Sequence, residues 1–198
     1  QAHIWSSRGC PFKCIFCVWP ATMTGNDPDG SQKRTVRQYN KEYMKNHIVE
    51  WKERFDFESF YFDDDTFNIG NKHTIDMSNL MKEIDIPWFA MCRADTIKKE
   101  TWKIMADSGC QGVKLGFESG NQFVVDKIVN KHLDLEYGKK IVEYIRSLNM
   151  SVHGTFTYGL PGESKNHMID TKNFINSSQF STVQESGTAE IEGTPLYT

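Results

Sequence analysis

The chain has 198 residues, with 23 Lys and Arg against 26 Asp and Glu, and a formal net charge of −3. This length suits one domain and falls short of the roughly 250 residues that a complete eight-unit barrel requires. A hydrophobic fraction of 38% is enough for a packed core and excludes a disordered chain. The charge balance indicates no nucleic-acid surface, and no apolar run reaches the roughly 20 residues of a membrane span.

Six apolar segments of strand length alternate with helical patterns. The predicted strands are Ala2 to Ser6, Ser59 to Phe62, Trp88 to Cys92, Gly112 to Phe117, Ser151 to Tyr158 and Phe180 to Glu185. The predicted helices are Val36 to Phe55, Thr74 to Ile84, Lys98 to Ser108, Gln122 to Val129, Leu135 to Leu148 and His167 to Ser177. Strands that alternate with helices predict an α/β fold with a parallel sheet and crossover helices.

The two ends of the sequence bear on its domain organisation. The sequence begins without Met, which indicates an excerpt of a longer protein. No linker or low-complexity tract divides it, so residues 1–198 are predicted to form one domain. The segment from Ser186 to Thr198 lacks periodicity and is predicted to be a loop-like tail or a frayed end.

Cys10, Cys14 and Cys17 form a Cys-x3-Cys-x2-Cys pattern, and Cys92 and Cys110 stand alone. An odd, uneven set of cysteines is not typical of a disulfide scaffold and indicates a metal site in a reducing compartment. A compact loop can place three thiolates around one iron–sulfur cluster and leave one iron without a protein ligand. Structural zinc would need a fourth ligand, which the pattern does not contain. The two lone cysteines are expected to be buried apolar residues.

The cysteine loop directly follows the first strand and has Phe16 just before its last cysteine, and in both respects it resembles the radical S-adenosylmethionine (SAM) enzymes. The resemblance covers nearly the whole chain and is closest to the branch often fused to a cobalamin-binding domain. It implies a partial (β/α)6 barrel of parallel strands with outer helices. The matching phrases are Ser7-Arg8-Gly9-Cys10-Pro11-Phe12, Phe62-Asp63-Asp64-Asp65-Thr66-Phe67, Arg93-Ala94-Asp95, Gly116-Phe117-Glu118-Ser119-Gly120, Gly159-Leu160-Pro161-Gly162-Glu163 and Gly193-Thr194-Pro195-Leu196-Tyr197.

This resemblance implies a cytoplasmic enzyme in which Cys10, Cys14 and Cys17 hold a [4Fe-4S] cluster that chelates SAM. Reduction, by a partner such as flavodoxin or ferredoxin, would cleave SAM to a 5′-deoxyadenosyl radical that acts on an unknown substrate. The implied subclasses are a methyltransferase or a skeleton- or ring-forming enzyme that uses cobalamin bound outside these residues, and a methylthiotransferase-like enzyme. A non-catalytic iron–sulfur or zinc-binding module that retains the fold is the alternative.

The resemblance also assigns contacts to SAM. Phe16 would lie near the adenine, and Asp64 would contact the methionine amino group, at the position where relatives have a Gly-Gly-Glu motif. Arg93 would bind the methionine carboxylate by a bidentate contact, the alternative being a surface arginine. Glu118 would accept hydrogen bonds from the ribose hydroxyls, the alternative being a helix-start carboxylate.

Two further positions, Thr157 and Leu160, complete the predicted cofactor site. Thr157 shares one face of the fifth strand with His153 and Thr155, a face that either lines the barrel or packs in the core. Leu160 belongs to a glycine-rich turn whose backbone can approach a ligand closely, although turn chemistry alone explains the same residues.

Several acidic and histidine residues have simpler interpretations. The run Asp63 to Asp65 has a rival interpretation as a divalent-metal site, because hard cations prefer oxygen ligands. Four histidines are expected on the surface: His47, His73, His132 and His167.

Overall fold

The computed structural model describes residues 1–19 and 34–197. Six of its strands form one sheet in the order β1-β4-β5-β6-β7-β8, and every neighbouring pair is parallel. The other two strands form a small antiparallel pair. The strands are β1 (Ala2–Ile4), β2 (Ser7–Arg8), β3 (Arg37–Gln38), β4 (Phe60–Phe62), β5 (Trp88–Cys92), β6 (Cys110–Glu118), β7 (Ser151–Tyr158) and β8 (Thr182–Gly187).

Helices connect consecutive strands of the sheet. They are α1 (Lys41–Arg54), α2 (Asn71–Ile84), α3 (Lys99–Asp107), a π-helical segment (Val124–Ile128), α4 (Leu135–Ser147) and α5 (Lys165–Ser177). Each strand lies beside the next one along the chain, so the crossovers all step in one direction around the sheet. The predicted α/β partial barrel with six parallel strands is confirmed.

The start of α1 differs from the prediction. Residues Arg37–Gln38 pair with Ser7–Arg8 as β3 and β2, so this part of the predicted helix is extended. The helix begins after Asn40, whose side chain accepts a hydrogen bond from the backbone N–H of Tyr43 at 2.7 Å. An Asn side chain at this position satisfies an N–H group that the first turn leaves unpaired, and this fixes the boundary.

The two faces of the sheet have different compositions. In β5, Trp88, Ala90 and Cys92 are buried towards the helices, whereas Phe89 and Met91 alternate to the opposite face. Cys110 is buried as well, so the prediction for the two lone cysteines is confirmed. The outer face therefore forms the main core, and the inner face lines the interior of the open barrel.

The segment after β8 does not fray. Thr194 and Leu196 are buried, and the backbone N–H of Leu196 donates to the carbonyl of Ile15 at 3.1 Å. Of the two predicted alternatives, a loop or a frayed end, the structure shows a loop, and this loop packs against the cysteine loop. None of the helices in the described parts of the chain has the length and apolar character needed to cross a membrane.

Candidate functional site

The three clustered cysteines lie at the carboxyl ends of the strands, on the wall of one cavity of about 320 Å³, here called the cofactor cavity. Their loop is fixed by backbone hydrogen bonds, among them one from the N–H of Cys17 to the carbonyl of Cys14 at 3.1 Å. Gly9 precedes the loop with φ +93°, and a Cβ atom there would lie 2.1 Å from the carbonyl oxygen of Thr35. Only glycine satisfies both conditions, so this residue sets the path of the chain into the loop.

The thiols of this loop suit a multi-iron cluster. All three are free and partly exposed to the cavity. Burial raises the pKa of Cys14 and raises the pKa of Cys17 to about 11, so binding of metal would release protons. Among residues 1–19 and 34–197, no three His, Cys, Asp or Glu side chains come close enough together to hold a single metal ion. Iron–sulfur clusters are held by cysteine thiolates, and the three free thiols on one cavity wall are a donor set of that chemistry.

The acidic run after β4 does not form one site. Asp63 lies 3.4 Å from Nδ1 of His3, whereas Asp64 accepts hydrogen bonds from Ser6 and Ser7. Asp65 accepts a hydrogen bond from the backbone N–H of Gly9 at 2.6 Å. Because the three carboxylates have three different sets of partners, the structure gives no support to a divalent-metal site here.

The structure places Asp64 behind the cofactor cavity rather than on its wall. The residue is 2% exposed and does not line the cofactor cavity. One carboxylate oxygen accepts from the Ser6 hydroxyl at 2.9 Å and from Ser7, and the other accepts from the Ser6 N–H at 3.2 Å. Burial raises the pKa of Asp64 to about 6, and the hydrogen bonds from Ser7 and Ser6 limit this rise.

Asp65 is the acidic residue of this run that lines the cavity. Its Oδ2 is bound by Gly9, but its Oδ1 is buried and has no hydrogen-bond partner among the described residues. A buried carboxylate oxygen without a donor is costly, so a ligand that donates to it would be favoured.

His73 completes the network behind Asp64. Its Nε2 lies 2.9 Å from the Ser6 hydroxyl oxygen, and burial lowers its pKa to about 4. The prediction that His73 lies on the surface is wrong, because α2 places this ring against the end of β1. The network ties the strand that precedes the cysteine loop to α2.

Glu118 ends β6 in an unusual backbone conformation. The pairing with β7 shifts register between Gly116 and Glu118, and Glu118 has φ 68°. Non-glycine residues rarely adopt positive φ, and such strain is concentrated at functional sites. The irregularity directs the carboxylate into the cofactor cavity, where Thr157 donates to it at 3.5 Å.

Lys131 is the partner of Glu118, and the sequence analysis missed it. Its Nζ donates to Glu118 Oε1 at 3.0 Å, and both side chains are buried. Burial lowers the pKa of Lys131, but the nearby Glu118 carboxylate and Cys14 outweigh it, so the net pKa is raised. Gly116 leaves room for this pair, because a Cβ atom there would lie 2.4 Å from Glu118 Oε1. A lysine in a loop after a helix carries no local signal that distinguishes it from a surface residue.

Arg93 lines the cavity but its guanidinium is already engaged. Nε and Nη2 donate to the two carboxylate oxygens of Asp95 at 2.6 and 3.0 Å, and Nη2 also donates to the carbonyl of Lys131 at 2.5 Å. The guanidinium carbon lies 3.7 Å from the centre of the Phe12 ring. The side chain is buried, so it is not the surface arginine of the alternative, and Asp95 occupies the Nε–Nη2 edge of the guanidinium. Arg93 therefore positions the walls of the cavity.

Of the remaining predicted contacts, Phe16 and Thr157 line the cofactor cavity, and Leu160 does not. Leu160 is 2% exposed and packs with Val124 and Val129, and the Phe16 ring rests against this small cluster. The Leu160 side chain therefore lies outside the cavity wall, and close approach of its backbone to a ligand stays a prediction. Leu160 instead supports the aromatic ring that faces the cavity.

The sequence model of the radical SAM superfamily matches residues 6–175. The chain belongs to the radical SAM superfamily. This confirms the resemblance to the radical SAM enzymes drawn from the cysteine loop and the other motifs.

Cytidylyl-2-hydroxyethylphosphonate methyltransferase of Streptomyces wedmorensis is 28% identical over 98% of this chain and 36% of its own length. Bacteriochlorophyllide d C-8(2)-methyltransferase of Chlorobaculum tepidum is 28% identical over 78% of this chain and 34% of its own length. The radical S-adenosylmethionine methyltransferase TsrM of Kitasatospora setae, solved with cobalamin and a [4Fe-4S] cluster bound, superposes with a TM-score of 0.81 at 16% identity. That superposition covers 99% of this chain and 38% of the TsrM chain. The radical SAM chain thus spans little more than a third of these relatives.

Proposed function

We propose that residues 1–198 form the core domain of a radical SAM methyltransferase, with a [4Fe-4S] cluster on Cys10, Cys14 and Cys17 and SAM in the cofactor cavity. When bound and reduced, these groups supply a 5′-deoxyadenosyl radical or support cobalamin-linked methyl transfer. The observation that carries the proposal is the convergence on one cavity of three free thiols and the carboxylates Asp65 and Glu118.

The residues of the cavity wall have complementary roles in holding SAM. The unpartnered Oδ1 of Asp65 accepts a hydrogen bond from the methionine ammonium group. Asp65 thus has the role that the sequence analysis assigned to Asp64. Glu118 accepts from the ribose hydroxyls, and Lys131 and Thr157 hold its carboxylate in place. The Phe16 ring, supported by the Leu160 cluster, covers the adenine. Each carboxylate oxygen can accept more than one hydrogen bond, so Oε1, bound by Lys131, and Oε2, bound by Thr157, retain capacity for the ribose hydroxyls.

A non-catalytic module explains less of this site. A protein that only holds a cluster needs the thiols but not the strained backbone at Glu118 or the unpartnered oxygen of Asp65. Both features are costly and become useful only when a ligand occupies the cavity.

The remaining parts of the proposal concern what lies outside the described residues. Because the chain spans little more than a third of its relatives, cobalamin would bind elsewhere in a longer protein. Partly exposed thiols that must remain reduced favour the cytoplasm, and cluster reduction requires an electron donor such as flavodoxin or ferredoxin.

Anaerobic reconstitution with iron and sulfide tests the proposal. We expect about four irons and four sulfides per chain and visible absorption that fades in air. Equilibrium dialysis with SAM should show binding, and a strong one-electron reductant should cleave SAM to methionine and 5′-deoxyadenosine. A colourless protein that retains zinc and does not bind SAM would contradict the proposal and favour the non-catalytic module.

A further inference from the structure

A second cavity of about 440 Å³ lies inside the open barrel, next to the cofactor cavity. The two cavities share Met91 and Lys114 as lining residues, so they meet at these side chains. We call the second one the inner cavity. Its wall is built by inward-facing residues of β1 and β4 to β7, in the register that pairs Met91 with Lys114 and Lys114 with His153.

The charged side chains of the inner cavity differ in whether they contact a group of opposite charge. Asp63 and His3 lie on one side and form a contact of 3.4 Å with each other. On the other side, the Nζ of Lys114 donates to the neutral amide oxygen of Gln184 at 3.3 Å, and Lys114 forms none of the ion pairs found among the described residues. A lysine inside a cavity without a counter-ion favours an anionic ligand.

The groups around Lys114 are suited to the same ligand. His153 lines the inner cavity beside Lys114, and its Nδ1 lies 2.8 Å from the hydroxyl oxygen of Thr182. Burial, followed by the charge of Lys114, lowers the pKa of His153, so Lys114 is the main cationic group on this part of the wall. Phe89 and Met91 add apolar surface to the wall.

We propose that the inner cavity binds the substrate, and that this substrate is a small organic anion whose carboxylate, phosphate or phosphonate group is bound by Lys114. The apolar body of the molecule lies against Phe89 and Met91. Since Lys114 also lines the cofactor cavity, the carbons next to the anionic group lie nearest to the cofactor. The assignment as substrate rests on the proposed function, whereas the anion site itself does not.

Binding of matched probes to the full-length protein with its cluster reconstituted tests the site. The probes share one aromatic ring and differ in charge: phenylphosphonate and phenylacetate are anions, benzyl alcohol is neutral and benzylamine is a cation. Calorimetry with and without SAM should show that the parent prefers the anions. Lys114→Gln should weaken both anions on the order of tenfold or more, and Lys114→Arg should retain most of the affinity.

Lys103→Gln is the matched control, because Lys103 is exposed on α3 and pairs with Asp107 at 2.6 Å. This variant should bind all four probes like the parent. Equal anion binding by Lys114→Gln and the parent, no anion binding by the parent, or tighter binding of benzylamine would each overturn the proposal. SAM affinity is measured on the same samples. Anion binding that depends on Lys114 in a protein that does not bind SAM would support the anion site and reject the proposed function.

Discussion

Two buried carboxylates lie at the carboxyl ends of strands in the same sheet, and they differ in what surrounds them. Asp64, after β4, is 2% exposed, and its partners are the hydroxyls of Ser6 and Ser7 and one backbone N–H. Glu118, at the end of β6, is 9% exposed and is paired with the ammonium group of Lys131. Asp64 lies on the side of α2, where His73 contacts the same Ser6 hydroxyl, and Glu118 faces the cofactor cavity.

The difference shows that burial and charge do not by themselves make a ligand-binding group. Asp64 belongs to a network that is complete within the chain, so its contribution is to hold β1 and the start of the cysteine loop. Glu118 has a strained backbone, and its carboxylate lines a cavity. Part of the hydrogen-bonding capacity of this carboxylate is therefore left for a ligand. Substitutions on the two sides should therefore separate cofactor binding from stability.

The largest effect is expected at the cysteine loop itself. Cys14→Ala removes one of the cluster's three thiolates, so reconstituted protein should lose most of its iron, sulfide and SAM binding. Cys110→Ala is the control, because Cys110 is buried at the start of β6, and Glu118 at the end of this strand faces the cofactor cavity. This variant should keep a full cluster. Iron and sulfide analysis with visible spectroscopy measures both. A full cluster with unchanged spectra in Cys14→Ala would show that the ligand assignment is wrong.

Substitution of Glu118 should weaken SAM without removing the cluster. A hydrogen bond to a charged acceptor contributes about 1.5–3 kcal/mol, so affinity should fall about tenfold to a hundredfold, with Glu118→Gln at the lower end and Glu118→Ala at the upper end. Equilibrium dialysis measures the change. Methionine lacks the ribose and should bind parent and variant equally. Equal weakening of methionine and SAM would point instead to general damage at the end of β6.

Asp64→Asn should lower stability and leave SAM affinity nearly unchanged, the opposite of what is expected for Glu118→Gln. The amide places an N–H₂ group where the carboxylate accepts hydrogen bonds, which should lower the free energy of unfolding by about 1–3 kcal/mol. For a chain of this size, that corresponds to a fall in Tm of roughly 2–4 °C per kcal/mol. SAM affinity should change far less than in Glu118→Gln. If Asp64→Asn weakened SAM as strongly at unchanged Tm, Asp64 would belong to the binding site and the comparison would fail.

The smallest expected effect is the pH dependence that His73 confers on stability. Its folded pKa of about 4 lies below the ordinary value of 6.5, so the folded state binds fewer protons than the unfolded state between these values. The parent should lose stability relative to His73→Gln as the pH falls below about 6.5, by at most about 1.4 kcal/mol per pH unit. Denaturant unfolding at pH 7 and pH 5 measures this, with the exposed His132→Gln as a control. A constant difference between parent and His73→Gln would contradict the lowered pKa.

Asp64 should produce the reverse slope in the same experiment. Its folded pKa of about 6 lies above the ordinary value of 3.8, so the folded state binds more protons between these values and the parent gains stability as the pH falls from about 6 to about 4. The difference in unfolding free energy between the parent and Asp64→Asn should therefore be larger at pH 5 than at pH 7. A difference that shrinks towards pH 5 would show that Asp64 is not the group whose pKa burial raises.

The sequence alone determined the order of the strands, the parallel sheet and the cysteine loop. Alternating apolar patterns reflect the periods of strands and helices, and three thiols within eight residues reflect one loop, so these features are local and readable. The burial of Cys92 and Cys110 is predicted from the general preference of free cysteine for buried positions.

Only the tertiary structure decided which side chains face the cavity. The choice between Asp64 and Asp65 depends on a single residue step after β4, where the strand has ended and its alternation no longer predicts direction. Lys131, His73 and the Arg93–Asp95 contact depend on how distant segments pack, and a residue's own neighbours in sequence do not encode the charge it will meet across the fold. Local periodicity specifies the elements, whereas long-range packing and desolvation assign each polar group to the cofactor cavity or to the framework behind it.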